Sequence, residues 1–423
     1  MKTLLTNARI LSMKDDNIIF GNILVEDKRI AYIGNESNFK ADKVIDCEGN
    51  LLMPGFKNAH AHTAMVFARS NSDDLPLLEW LTKAIFPLEA KFEKDDIYHL
   101  TKCGILEYLA GGITATSDMY FAVPELIKAS EELGIRNVIV ATSDKEPISL
   151  LRERYLSLNK KDSLISYILG IHAEYTTKKE RIMEVASLAN ELHTRLALHI
   201  GETKSEVQGC VDRYGMTPVK FLDSLGFFNY GGIAYHANYF TDEEIEICKK
   251  RNINVVTCPA SNAKLASGVC PVSKYIDNGL LVAIGTDGPA SNNSLDMFKE
   301  MYLVSALQKL MYLDARKMDG FEVLKMATVN GAKVLGLDES DVLDVGKYAD
   351  IIMIDLKNPS MQPLNNIKKN IVYAGSKDII KMTMINGKIL YYNHEFLNTD
   401  VDAIYKKAQE ITDRLKGGNQ DEQ

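Results

Sequence analysis

No stretch of about 18 apolar residues occurs in this sequence, so nothing in it reads as a membrane-spanning helix. Runs of Lys or Arg are also missing, and a formal net charge of -8 argues against a nucleic-acid footprint. The six cysteines (Cys47, Cys103, Cys210, Cys248, Cys258 and Cys270) are scattered, without a CxxC pair. In a chain of this length that pattern fits reduced, mostly buried thiols and a cytoplasmic home. Residues 1–9 break their apolar run too early for a secretory leader. What is present is the composition of an ordinary globular protein, 46% hydrophobic and 25% charged. Its 423 residues are too many for one small core and suit a large domain joined to a smaller one.

Residues 1 to about 50 alternate short strands with turns, including a hairpin over 23–34 that turns at Glu26-Asp27-Lys28. From residue 51 the texture changes to strand, then helix, repeated. Apolar or β-branched runs fall at 51–56, 113–117, 137–142, 167–171, 195–200, 232–235, 253–258 and 280–285, with helical patterns such as 95–110, 123–133, 179–193, 217–225 and 242–250 between them. Buried runs separated by helices are the pattern of parallel strands with crossover connections. Eight is the number that closes a (β/α)8 barrel, whose usual length of about 250 residues fits this span. A doubly wound open sheet is the rival, but no Gly-rich phosphate fingerprint follows any of the runs. After helical stretches at 297–310 and 320–335, β texture returns at 349–355, 371–375 and 380–385, where Asn386-Gly387 marks a hairpin. The expected architecture is therefore α/β, with a barrel over 54–344 and a composite β-sandwich made from 1–53 and 345–400. A last helix and a polar tail, frayed from residue 416, fill 401–423.

In such a barrel the reactive groups gather at the C-terminal ends of the strands. The first run leads to His60 and His62, the fourth ends at His172, the fifth at His199, the sixth at His236 and the eighth at Asp287. Five of the chain's eight histidines thus stand at one rim, and His99, His193 and His394 read as ordinary surface or core residues. His60 and His62 are two apart, so in extended chain both imidazoles leave the same side. HxH alone is weak evidence, because a polar pair closing a strand is commoner than a ligand pair. With His199 and Asp287 it becomes a set of imidazole and carboxylate ligands suited to zinc or iron, with a position left for water. A bound metal brings the pKa of that water toward neutrality. Glu202, three residues past His199, can reach the same pocket as a proton shuttle, against the plainer reading of a helix-start carboxylate. His236 can hydrogen-bond the nucleophile or the developing charge, against the plainer reading of a satisfied buried imidazole.

Taken together, Pro54-Gly55-Phe56-x-Asn58-Ala59-His60-x-His62, Leu198-His199-x-x-Glu202, strand-end His236 and Gly285-Thr286-Asp287-Gly288 resemble the amidohydrolase superfamily, in its mononuclear-metal deaminase branch. Four further stretches are similar to the 5′-methylthioadenosine/S-adenosylhomocysteine deaminases. They are Asp74-Leu75-Pro76-Leu77-x-x-Trp80-Leu81 leading to Pro87-Leu88-Glu89, Gly170-x-His172-Ala173-x-Tyr175-Thr176, Cys258-Pro259-Ala260-Ser261-Asn262-x-Lys264-Leu265, and Thr286-Asp287-Gly288-x-Ala290-Ser291-Asn292-Asn293. The resemblance runs from about residue 50 to 400 and implies one metal per subunit, zinc first and iron second, on His60, His62, His199 and Asp287. It implies that Glu202 protonates the purine at N1, that Asp287 takes the proton of the attacking water, and that His236 orients the hydroxide. Glu89 would hold the ribose hydroxyls, which is sensible chemistry for a carboxylate facing a vicinal diol. His172 would contact the bound nucleoside.

Relatives that accept the charged homocysteine tail bind its carboxylate with arginines. Arg136 lies where one such arginine occurs, reaching a neighbouring subunit, and a second is expected at Arg152 or Arg154. The implied partners are a small nucleoside substrate and other copies of the chain in a dimer or tetramer, with neither nucleic acid nor membrane. Adenosine, 5′-deoxyadenosine and 5′-methylthioadenosine need no carboxylate partner and stay open as substrates. The alternatives are the same chemistry on guanine, a pterin or an s-triazine, and, from another class, a barrel that serves as a non-catalytic scaffold.

Overall fold

A computed structural model of the chain describes residues 1–71, 73–142 and 146–417. The chain opens with β1 (Lys2–Leu11), β2 (Ile18–Glu26), β3 (Arg29–Gly34), β4 (Lys43–Asp46) and β5 (Leu51–Pro54). Eight strands follow: β6 (Phe56–Ala61), β7 (Ile113–Met119), β8 (Arg136–Val140), β9 (Ile165–Ala173), β10 (Leu196–Ile200), β11 (Gly232–His236), β12 (Ile253–Thr257) and β13 (Val282–Ile284). β14 (Ile351–Ile354), β15 (Ile380–Ile385), β16 (Lys388–Tyr392) and β17 (Glu395–Phe396) come last.

Strands β6 to β13 lie side by side in chain order, each parallel to the next, as alternating strands and helices require. The seam between β13 and β6 is closed just beyond β13. Asp287 N–H donates to the His60 carbonyl at 3.0 Å, while the Asn58 side chain exchanges two hydrogen bonds with Thr286, at 2.8 and 2.9 Å. A Cβ on Gly285 would meet the Cβ, N and O of His60 at 2.7, 2.8 and 2.9 Å, so only glycine allows this approach. The barrel interior is a packed core of small and β-branched side chains such as Ala59, Val138, Val140, Ala197 and Val256. Outer helices bury one stripe against the strands. In the helix Val123–Leu133 that stripe is Val123, Leu126, Ala129 and Leu133, with Pro124 in the first turn and left-handed Gly134 ending it. Among the described residues no helix is long and apolar enough to cross a membrane.

The two chain ends meet in one mixed sheet, ordered β17-β16-β15-β14-β5-β1-β2-β3, with β4 on the flank of β1. Side chains from its two halves, including Ile23, Val25, Met382 and Met384, share one core, so the sheet is continuous and closes over its own apolar face. Asn386 and Gly387 both have positive φ, as a tight hairpin turn between β15 and β16 demands.

Three local expectations are corrected. The apolar run at 51–56 divides between two sheets at Gly55: β5 pairs with β1 and β14, whereas β6 begins the barrel. A Cβ at Gly55 would lie 2.1 Å from the Thr114 methyl, so glycine lets the chain pass from one sheet to the other. The stretch at 371–375 is largely the end of a helix, Ile367–Tyr373, capped by the Asn366 side chain, which accepts from Lys369 N–H at 3.0 Å. Finally, 320–335 forms two helices, Gly320–Met326 and Val329–Leu335, broken at Ala327-Thr328. The last helix spans Val401–Leu415; of the tail expected to fray, residues 418–423 lie outside the described residues.

Candidate metal centre and substrate cavity

His60, His62, His199 and Asp287 converge at the C-terminal mouth of the barrel, their ligand atoms all within 4.8 Å of one another. His60 Nε2 is 3.1 Å from His199 Nε2, which is 3.3 Å from His62 Nε2. Asp287 Oδ1 stands 3.3 Å from His62 Nε2 and 3.6 Å from His60 Nε2. Two ligands held about 2.1 Å from one ion at a tetrahedral angle are about 3.4 Å apart, so these separations fit a shell around a single divalent cation.

The tautomers agree with that use. His62 Nδ1–H donates to the Met119 carbonyl at 2.5 Å and His199 Nδ1–H to the His172 carbonyl at 2.7 Å, which leaves both Nε2 lone pairs facing the centre. Nδ1 of His60 is buried without a hydrogen-bond partner among the described residues, and its ring stacks on Tyr235 at 3.9 Å. Burial keeps His60 and His199 neutral, well below the ordinary histidine range. For His62 burial acts the same way, but the Asp287 carboxylate outweighs it and raises the pKa. Asp287 sits at φ 60°, a strained conformation for a non-glycine residue. Its Oδ2 accepts from Ser261 Oγ at 2.6 Å and Ser291 Oγ at 3.0 Å, so Oδ1 is turned to the centre.

Glu202 lies in the loop between β10 and the helix Lys204–Tyr214, fully buried, with its backbone N–H held by Glu206 Oε2 at 2.7 Å. Its Oε1 accepts from Ser267 Oγ at 3.3 Å, and its Oε2 is 3.9 Å from His236 Nε2. Burial raises the Glu202 pKa, partly offset by His236, which favours the protonated acid. His236, at φ 69° on the end of β11, is oriented by Asn262 Oδ1 on its Nδ1 at 2.8 Å.

Above the centre lies a cavity of about 660 Å³, part of it open to solvent. His62, His172, His199, Glu202, His236 and Asp287 form its polar floor. Leu77, Trp80, Leu81, Phe86 and Glu89 reach it from one helical segment before the helix Asp96–Ala110, while Met119, Tyr120 and Phe121 reach it from the end of β7. Glu89 thus faces the cavity, its Oε1 accepting from the Tyr120 hydroxyl at 2.5 Å. His172 lines it as well, with Nδ1 3.0 Å from Thr176 Oγ1.

The three candidate arginines do not. Arg136 opens β8 at the opposite end of the barrel, 3% exposed, bonded to Asp350 at 3.0 and 3.2 Å and to Asn386 Oδ1 at 2.7 Å. It clamps the composite sheet to the barrel floor and does not line this subunit's cavity. Arg152 projects from the helix Ile148–Leu158 and pairs with Glu191, and Arg154 pairs with Glu146 at 2.7 Å; neither lines the cavity. Sequence reasoning assigned no role to Tyr120, Ser261, Asn262 or Ser291. The last three fell inside the Cys258–Leu265 and Thr286–Asn293 stretches, whose polar character was the available signal.

Fold and site define a barrel metallohydrolase that binds one divalent cation. The chain belongs to the amidohydrolase family, whose model matches residues 51–390. It is 38% identical over 430 aligned residues to 5-methylthioadenosine/S-adenosylhomocysteine deaminase of Caldanaerobacter subterraneus subsp. tengcongensis, covering 99% of each chain. Identity is also 38% to 5′-deoxyadenosine deaminase of Methanobrevibacter smithii, over 427 residues and 98% of each chain. Among solved structures, an adenosine deaminase from Xanthomonas campestris with bound zinc is 31% identical and superposes with a TM-score of 0.93 over 98% of each chain.

Proposed function

We propose that this protein hydrolytically deaminates 6-aminopurine nucleosides, giving the inosine analogue and ammonia. The observation that carries the reading is one cavity lined by a buried carboxyl whose pKa burial raises, Glu202, by His62, His199 and Asp287 of the four-residue centre they form with His60, and by a second carboxyl, Glu89. The metal, when bound, supplies Lewis acidity and makes water a competent nucleophile at neutral pH. Water oxygen adds to C6 of the purine while Glu202 delivers its proton to N1. Asp287 takes one proton of the water and passes it to the amino group, which leaves as ammonia, and the second water proton, on the new C6 hydroxyl, returns to the Glu202 carboxylate as the C6 carbonyl forms. His236, held by Asn262, aligns the incoming oxygen. Glu89 accepts from the ribose hydroxyls, and His172 lies against the nucleoside.

Zinc is the ion we assign, since three imidazoles and a carboxylate without thiolate suit it, and iron is the competitor that metal analysis would reveal. The apolar wall of Leu77, Trp80, Leu81 and Phe86 suits an uncharged 5′ substituent, the 5′-deoxy or 5′-methylthio kind. Six free cysteines support a reducing, cytoplasmic setting. The burial of Arg136 removes it as a reason to expect a dimer or tetramer.

The test is a panel of adenosine, 5′-deoxyadenosine, 5′-methylthioadenosine, S-adenosylhomocysteine, adenine and guanine, followed by loss of adenine absorbance and by ammonia release. Turnover of the nucleosides with adenine inert is expected. Silence of the metal-loaded protein toward every nucleoside would overturn the reading, and turnover of guanine alone would move it to another ring.

A further inference from the structure

The dipeptide Met119-Tyr120 touches both halves of the site. Met119 offers its carbonyl to His62 Nδ1 at 2.5 Å, and Tyr120, the next residue, donates its hydroxyl to Glu89 Oε1 at 2.5 Å. Tyr120 is only 4% exposed, its ring stacked on Phe121 at 4.5 Å and set edge-on to the His62 imidazole at 6.4 Å. The end of a barrel strand holds such a ring rigidly. Glu89 arrives from a helical segment outside the barrel and has no other hydrogen-bond partner among the described residues.

We propose that Tyr120 is a positioning residue for substrate recognition: its hydroxyl fixes Glu89 so that the free carboxylate oxygen faces a vicinal diol at a set distance from the metal centre. The inference rests on the nucleoside reading above and adds the residue that makes it selective for ribosides. A carboxylate free to turn about its side-chain torsions loses alignment entropy each time it meets a ligand, and a buried donor on one oxygen removes that loss beforehand. Burial raises the Glu89 pKa, and the Tyr120 hydrogen bond opposes the rise, which favours the ionised acceptor a diol needs. Burial and the neighbouring Glu89 push the Tyr120 hydroxyl far above its usual range, so it remains a donor at every working pH.

The test uses the metal-loaded protein and Tyr120→Phe, which keeps the ring and removes only the hydroxyl. Loss of one hydrogen bond to a charged acceptor should raise KM for adenosine about tenfold at nearly constant kcat. With 2′,3′-dideoxyadenosine, which lacks the diol, KM or the inhibition constant should not change. On a Glu89→Ala background the same substitution should cost nothing further. Equal losses on adenosine and the dideoxy analogue, or a fall in metal content with kcat, would overturn the inference by placing the effect at His62. An unchanged KM for adenosine would overturn it too. A wild-type protein inert toward every nucleoside would instead overturn the proposed function, and this inference with it.

Discussion

The backbone amide of Asp287 donates to the carbonyl of His60 across 3.0 Å, so the bond that closes the barrel joins two of the four residues facing the metal centre. Barrel closure and ligand geometry are therefore one structural event. Gly285→Ala tests this directly, because its methyl would press on the Cβ, N and O of His60 from less than contact distance. Overpacking of this kind costs about 1–3 kcal/mol, and the seam should open at the ligands. Metal per chain and denaturant midpoint should fall together. Full metal content in a destabilised variant would separate the two.

Glu202 lies outside the four-residue metal group, its oxygens facing Ser267 and His236, and in the proposed reaction it is the proton donor. Glu202→Gln should keep the metal and lose about 10²–10⁴ in kcat, the usual worth of a positioned proton donor. Metal analysis beside steady-state kinetics gives the answer. A variant that loses its metal would make Glu202 a structural support instead.

Glu89→Ala should discriminate by sugar. Losing a charge-assisted contact to the diol should cost ribosides about ten- to a hundredfold in kcat/KM. Activity on free bases, however low, should be spared. If adenosine turnover survives unchanged, Glu89 has no ribose role.

At the barrel floor Lys57 is wholly buried, its ammonium donating to the Gly55 carbonyl and Thr114 Oγ1, both at 2.9 Å. Burial lowers its pKa to about 8 from the ordinary 10.5, with Asp350 opposing. Below about pH 8 the lysine is charged in folded and unfolded chains alike, and the burial penalty is fully present. Between about 8 and 10.5 the folded chain has released a proton that the unfolded chain still holds, so the penalty fades as pH rises. Relative to Lys57→Met, the wild-type chain should thus gain up to about 3 kcal/mol over that window. Denaturant melts of both proteins at pH 7 and 10 measure the difference, and a pH-independent gap would refute the assignment.

His199 and His236 were legible in the sequence because the apolar runs that hold or precede them end where β10 and β11 meet the mouth of the barrel. Gly55 was not, since an apolar run carries no mark of changing sheets and the reason for glycine is Thr114, 59 positions away. Arg136 was misread for the same cause: its partner Asp350 lies 214 positions downstream, and nothing local says that the side chain turns to the barrel floor. At 371–375 β-branched composition suggested a strand, while the i, i+4 spacing of Ile367 and Ile371 and the cap at Asn366 favoured a helix. Tyr120 was invisible because its meaning lies wholly in Glu89, which reaches it from a different element.

The pairing of β5 with β14, Leu51 against Ile354 and Pro54 against Ile351, has a consequence for the order in which the molecule is made. Five strands leave the ribosome before any residue of the barrel, yet the side chains that cover their apolar face lie beyond residue 340. Contacts so distant along the chain form late, because the entropy of closing that loop must be met before they stabilise anything. A nascent chain halted within the barrel therefore exposes an unpaired sheet edge and a bare apolar surface, which makes it a client for chaperones and not a half-built enzyme.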